Sequence, residues 1–468
     1  MNKYFYFFFN FALIICFNPL PEGNGILNSK YDHHSSDNLY FVFEHFRHGA
    51  RSPCEGKFIN KTDDLKGKWE AYASLTQVGI KQQFLLGKKN RKHYKDFISK
   101  EYIPNEIKVY STNYNRTIMS AQAQLLGFYN EIIFNNSMKF DDILRGDNIS
   151  DEIDLNSIIP QINLFEKEKE SGRNIILFNE KFQCKLHRQL LAKNMEKYKE
   201  LKIFNKIDEI REKFNQKYIK IFAKEFNKPN YSKYYRGIYK FCDIYIAQYF
   251  DEGKNRKIID DLEKKYNFFD SSEILNICYD FYYEKFLIIE AEEYAKDNYK
   301  ILMSRTLKKL IELMKEKIEK NNPNYISPES PKFLLYSAHD DTLTQMQIFL
   351  NKHFEINKEW VPFASNQIFE LRKYGNVFYV EVYYNDKLKM NITFDQFSDI
   401  VSKNVISIDE INKKCYGLRH SDYYSKFLLL CSILIICLIV FIFLNIYIYL
   451  KSDTDETKIE KAPKIIMI

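Results

Sequence analysis

The sequence predicts an α/β domain whose sheet is interrupted by a long helical insertion, with one membrane-spanning helix near the carboxyl end. Three observations predict it. Over residues 39–129 short apolar runs alternate with segments of helical periodicity, the rhythm of an open α/β sheet. From about residue 154 to residue 322 strand signals fade and apolar residues recur every three to five positions, after which the alternation returns. Residues 427–450 carry no charge at all. The chain has 468 residues, 45% of them hydrophobic and 28% charged, which excludes a disordered or fibrous protein.

Taken in order, residues 39–45 (LYFVFEH) read as a mostly buried strand that ends abruptly in RHGARSP. Residues 74–88 read as a helix with Leu75, Val78, Gln82 and Leu85 on one face. Residues 107–110 form a short strand, and residues 116–129 a helix behind it. In the middle, Ile207, Ile210, Phe214, Tyr218, Ile221 and Phe226 make one helical core stripe. Leu307, Ile311, Met314 and Ile318 make another, stopped by Asn321, Asn322 and Pro323. A strand over 333–337, a helix over 342–350 and a hairpin of 367–372 with 377–384 across Gly375 and Asn376 complete the pattern. The simplest arrangement is one discontinuous ectodomain over 38–425, with α/β parts at 38–150 and 330–400 and a helical insert at 154–322.

The ends read as addresses rather than fold. Lys3, an apolar run over 4–17 and the breakers Pro19, Pro21, Gly23 and Gly25 have the plan of a secretory signal over residues 1–25. An uncleaved anchor there would send the following chain across the membrane just the same. The 24 uncharged residues 427–450 reach about 36 Å as a helix, enough for roughly 30 Å of hydrocarbon. Lys426 and Lys451 bracket this span, so the amino-terminal signal sets the orientation. A type I single-pass protein is expected, with its ectodomain in a lumen or outside the cell and residues 451–468 in the cytosol. Lysosome or vacuole, endomembrane and cell surface all remain open.

Cysteine use fits an oxidising compartment. Outside signal and span remain Cys54, Cys184, Cys242, Cys278 and Cys415, too widely spaced for a zinc cluster and suited to long-range disulfides. Five is odd, so one thiol is left over; a Cys184–Cys415 bridge is the pairing expected. Six sequons, at Asn60, Asn115, Asn135, Asn148, Asn230 and Asn391, offer glycosylation sites. The charge balance, 69 basic against 62 acidic residues, is a spread surplus of seven with no basic block, which argues against nucleic acid.

The chemistry concentrates in RHGARSP at 47–53. A strand delivers it to the carboxyl end of a sheet, where open α/β folds keep their sites. Arg47 and Arg51 flank His48, and guanidinium forks suit phosphoryl oxygens better than other side chains do. A neutral imidazole between them can attack phosphorus and hold the phosphoryl covalently. Gly49 allows close backbone approach beside a ligand, and Pro53 stiffens the exit. His45 is placed to line the wall of this loop, whereas His33, His34, His93, His187, His353 and His420 read as surface residues.

The heptapeptide resembles RHGxRxP, the signature of the histidine acid phosphatases, in all five of its fixed letters. Three further stretches follow in that family's order: LTQVG at 75–79 resembles LTxxG, STNYNRT at 111–117 resembles STxxxRT, and AHDDT at 338–342 resembles the late HD motif. The resemblance covers about residues 39–388, the helical insert by placement only, and implies a phosphoglycerate mutase-like α/β sheet. It implies His48 as nucleophile, Arg47, Arg51, Arg116 and His339 as phosphate ligands, and Asp340 as the acid that protonates the leaving oxygen. Asp341 could compete for that role. It also implies a reaction with no metal or cofactor, because cationic side chains do the work that magnesium does elsewhere. The family commonly carries Asp around the third arginine; here Asn113 and Asn115 stand instead, removing negative charge near Arg116. Asn115 also opens a sequon, expected to be buried and unmodified.

An acid phosphatase acting on phosphate monoesters is therefore the expected function. A non-catalytic membrane receptor holding a phosphorylated ligand in the same pocket is the alternative, although binding alone needs neither His48 nor Asp340. Phosphoproteins, sugar phosphates, nucleotides, inositol phosphates and lysophosphatidate all present the same monoester to the loop.

Overall fold

The computed structural model describes residues 38–54, 69, 71–129, 162–165, 209–210, 212–214, 217–218, 235–267, 269–286, 298–356, 360–416 and 420–459. The expected signal, most of residues 207–226, four of the six sequons and the Cys184–Cys415 pairing lie outside what is described. In chain order the elements are β1 (Leu39–Arg47), α1 (Gln77–His93), β2 (Ile107–Thr112), α2 (Asn115–Phe128) and β3 (Ile162–Phe165). Then come α3 (Tyr235–Tyr249), α4 (Lys254–Lys265), α5 (Ser271–Phe286), α6 (Asn298–Lys320), β4 (Phe333–Ala338) and α7 (Asp340–Phe354). The chain continues through β5 (Asn366–Tyr374), β6 (Val377–Tyr384), β7 (Lys387–Thr393), α8 (Phe394–Asn404), α9 (Ile408–Tyr416) and α10 (His420–Ile459).

Seven strands form one sheet in the order β3-β2-β4-β1-β5-β6-β7. From β3 to β1 neighbours run parallel; from β1 to β7 they run antiparallel. Side chains alternate across the sheet, so the central strands β1, β2, β4 and β5 feed two cores. Phe43, Leu334, Tyr336 and Phe369 pack under α6, α7 and α8, while Val42, Phe46, Leu335 and Ile368 pack under α2 and against Tyr94, Phe97 and Ile98, which follow α1. β1 is buried along its whole length, as a central strand covered on both faces must be. Its one carboxylate, Glu44, accepts hydrogen bonds from the side-chain amides of Asn90, Gln124 and Asn366, at 2.6, 3.0 and 2.9 Å. Burial pushes the Glu44 pKa up, and these amides partly offset that.

Several expectations are corrected. Residues 162–165 form a strand inside the stretch read as helical; four residues are too short for a periodic signal, and only pairing with β2 makes them a strand. Of the α1 face expected from Leu75, Val78, Gln82 and Leu85, Leu75 just before the helix is buried and the other three are only half-buried. Gly79, Gln83, Phe84, Leu86, Gly87 and Asn90 are buried instead, because two glycines let the backbones of the loop and of α2 approach closely. A third antiparallel strand, β7, extends the expected hairpin through a turn at Asn385 and Asp386, both at positive φ. α8 opens on a capping box between Thr393 and Gln396. α10 runs on to Ile459, past the uncharged span; its segment Lys426–Ile448 is long and apolar enough to cross a membrane.

Helices α3 and α5 are joined by a Cys242–Cys278 disulfide and share an aromatic core of Phe241, Tyr245, Phe269, Phe281 and Tyr282 with Phe363. Ala50, on the loop after β1, belongs to that same core. Cys54 has a free thiol.

Candidate active site

The parallel triplet β2-β4-β1 brings three sequence motifs together. Arg47 at the end of β1 stands opposite Ala338 at the end of β4, so Arg47 and His48 emerge beside His339 and Asp340. β2 ends on the other side of β4 and hands over to α2, whose first turn carries Arg116. α2 and α7 both begin at this edge, and their positive helix ends face the same space.

Gly49 lies against the backbone of Gly79. A Cβ there would lie 2.2 Å from the Gly79 carbonyl oxygen, and one on Gly79 would lie 2.1 Å from that of Ala50. The two glycines let the loop lie directly on the first turn of α1, which is why RHG and LTxxG occur together. Thr76 caps that turn and also donates to the Ala50 carbonyl at 3.1 Å.

His48 is 2% exposed. Its Nδ1 lies 2.8 Å from the Gly49 carbonyl oxygen. A carbonyl only accepts, so Nδ1 carries the proton and the lone pair sits on Nε2. Burial, then Arg116 and Arg47, hold the His48 pKa well below its ordinary value, so the ring is neutral.

Arg47 donates to the Val361 carbonyl at 2.6 Å and pairs with Asp340 at 2.7 Å, its guanidinium lying 4.3 Å from the Phe363 ring centre. Arg51 pairs with Asp243 of α3 at 2.9 Å. Burial disfavours the Arg51 charge, yet Asp243 beside it more than offsets this and raises its pKa. Arg116 lies over the Tyr114 ring at 4.6 Å, and its Nη2 is 3.4 Å from Nδ1 of His339. Burial and Arg51 lower the Arg116 pKa. Burial and then Arg116 lower that of His339 to about 4. Burial raises the Asp340 pKa, but Arg47, Arg51 and His339 outweigh it and hold the carboxyl at about 2. Among the described residues, Arg47, Arg51 and Arg116 thus stand around neutral imidazoles, with Asp340 beside the first and Asp243 beside the second.

The structure thus gathers Arg47, His48, Arg51, Arg116, His339 and Asp340 around one space. Asp340 pairs with Arg47. His45 is fully buried on the α7 side of the sheet, stacked on Phe43, with neither ring nitrogen hydrogen-bonded. His93 is not simply a surface residue, since its Nε2 lies 3.5 Å from buried Glu370, and His353 is half-buried against Phe349. Asn115 is exposed rather than buried, whereas Thr117 of the same sequon is buried. Sequence reasoning missed Asp243, the Val361 carbonyl, Phe363 and the bond between Thr112 and His339. Asp243 is one acidic residue among many in a helical stretch, and nothing local sets it apart.

A family model described as the histidine phosphatase superfamily (branch 2) matches residues 38–385. Over 96 residues, 20% of this chain and 22% of the relative, the sequence is 46% identical to the lysosomal acid phosphatase of Xenopus laevis. Over 120 residues, 25% and 28% of the two chains, it is 35% identical to the prostatic acid phosphatase of Bos taurus. Each match spans less than a third of the relative's length. Among solved structures, the phytase of Citrobacter braakii superposes with a TM-score of 0.54 at 13% identity, covering 79% of this chain and 98% of that one. The phytase of D. castellii gives 0.50 at 15% identity, with 86% of each chain covered. At these identities the likeness is one of fold.

Proposed function

Because this chain belongs to the histidine phosphatase superfamily (branch 2), we propose that it hydrolyses phosphate monoesters through a phosphohistidine on His48. The observation that carries this reading is the hydrogen bond from Nδ1 of His48 to the Gly49 carbonyl, 2.8 Å long. It leaves a neutral ring with its lone pair on Nε2, held among three arginines.

The steps follow from that geometry. Arg47, Arg51 and Arg116 bind the phosphoryl oxygens and stabilise the charge that spreads over them in the transition state. Nε2 of His48 attacks phosphorus; the N–P bond forms as the bond to the leaving oxygen breaks. Asp340 gives that oxygen a proton. Asp340, its pKa held at about 2, is ionised before substrate binds, so its proton comes with the substrate: a phosphate anion between the arginines screens Arg47 and raises the Asp340 pKa. Water then attacks phosphorus, the N–P bond breaks, and Asp340 takes the water's proton. Inorganic phosphate leaves and the neutral histidine is restored.

This chemistry is proposed to run outside the cytosol, on a domain anchored by the apolar segment of α10 with residues 451–468 in the cytosol, in a lysosomal or other endomembrane setting. The test is release of phosphate from p-nitrophenyl phosphate by the purified protein, with alkaline quenching to retain labelled phosphate on the chain, since phosphohistidine is acid-labile. His48→Ala should abolish label and turnover together. Near-wild-type turnover by that variant would overturn the assignment.

A further inference from the structure

The phosphate cradle is not complete within the sheet. Arg51 sits on the loop after β1, but its guanidinium is held by Asp243 of α3, a residue 192 positions later. Both oxygens of Asp243 are engaged: Oδ1 accepts from Arg51 Nη2 at 2.9 Å, and Oδ2 accepts from the Cys54 backbone N–H at 2.7 Å. The Asp243 side chain is 2% exposed. Arg51 Nη1 donates to its neighbour's carbonyl, that of Ser52, at 3.1 Å. Two bonds from fixed partners therefore set the plane of the guanidinium and leave its other hydrogens for an anion. Residue 242, next to Asp243, is cross-linked to Cys278, which ties α3 to α5 at the point where α3 holds the loop.

We propose that Asp243 is the positioning residue for Arg51, so that the helices between β3 and β4 complete the phosphate-binding site rather than merely shelter it. The physical reason is twofold. Three guanidinium groups gathered before any phosphate arrives repel one another, and Asp243 neutralises one of them while the site is empty. An arginine side chain also has much rotamer freedom, which a buried carboxylate removes in advance of binding. With Asn113 and Asn115 uncharged, the carboxylate that Arg51 contacts reaches it from the helical side.

The inference rests on the reading of this pocket as a phosphate site, and anion affinity measures it whether or not the chain turns over. Inorganic phosphate is titrated calorimetrically into the detergent-solubilised full chain and its Asp243→Asn, Arg51→Gln and doubly substituted variants. Asp243→Asn should weaken phosphate binding about tenfold, whereas on the Arg51→Gln background the same change should cost less than about twofold. Asp243→Glu, which keeps the charge but pushes the fork out of place, should weaken binding at least about threefold with little change in melting temperature. It serves as the test if the Asn variant does not fold. Equal losses from Asp243→Asn on both backgrounds, or wild-type affinity in the Glu variant, would overturn the proposal. A wild-type chain that binds phosphate with this dependence yet releases none from p-nitrophenyl phosphate would sink the hydrolase reading alone.

Discussion

The hydroxyl of Thr112 lies 2.9 Å from Nε2 of His339 and 2.9 Å from the hydroxyl of Thr117. Thr117 spends its one hydroxyl proton on the carbonyl of Thr112 or Tyr114, at 2.7 and 2.9 Å. With its proton placed there, Thr117 accepts from Thr112, which commits the Thr112 proton. His339 therefore carries its proton on Nε2, and Nδ1 turns a lone pair toward Arg116. To donate to a phosphate, His339 has to gain a second proton.

That requirement gives a pH prediction. The His339 pKa is about 4, so its imidazolium form grows as pH falls and disappears as pH rises. A bound phosphate raises that value, and the alkaline limb of kcat/KM reports it. Thr112→Val releases Nε2, so the neutral ring can put its proton on Nδ1 and donate without charging. The alkaline limb should move up by about one pH unit, and Thr112→Ser should restore it. An unmoved limb in the valine variant would show that Thr112 does not set the tautomer.

Asp340→Asn should slow esters of poor leaving groups by about 10²-fold and largely spare p-nitrophenyl phosphate, since only poor leaving groups need the proton. The measurement is a plot of log kcat/KM against leaving-group pKa. Should Asp341→Asn steepen that plot instead, the acid is Asp341.

Stability should fall toward acid. Burial and then His339 lower the His45 pKa to about 3, against an ordinary value of 6.5. The unfolded chain therefore binds a proton below pH 6.5 that the folded chain refuses until about pH 3. At pH 5, His45 alone should destabilise the fold by about 2 kcal/mol relative to pH 7. Urea midpoints at the two pH values should show the loss, and His45→Phe should shrink it by that amount. An unchanged difference would place the sensitivity elsewhere.

Gly79→Ala should destabilise by roughly 3 kcal/mol or more and abolish turnover, because its Cβ would meet the Ala50 carbonyl oxygen at 2.1 Å and lift the loop off α1. Thermal denaturation and phosphate titration together check this. A variant that is destabilised but binds phosphate normally would mean that the loop keeps its shape without that contact.

A chain ending after Tyr416 should fold and hydrolyse phosphate, since α10 lies beyond every residue of the site. Ending it after Asn404 should be damaging, because buried Ile411 of α9 packs against Ile301 of α6. Activity and melting temperature of the two secreted chains decide it.

Much of this molecule was legible in the sequence. Strands β1, β2 and β4 announce themselves as short buried runs, α6 by its apolar period and its stop at Asn321, and the apolar stretch of α10 by length without charge. The residues now gathered at the sheet edge stand in three local motifs, because strand ends and helix starts are written in consecutive residues. Pairing and contact across the chain were not legible. β3 is a strand only because β2 lies beside it, and the buried face of α1 follows from glycines that meet other backbones. Asp243 reaches Arg51 across 192 positions, and the Thr117–Thr112–His339 chain fixes a proton that no motif shows. Local periodicity records which residues prefer to be buried. Which partner buries them, and what charge each side chain holds there, is decided by packing between segments far apart in sequence.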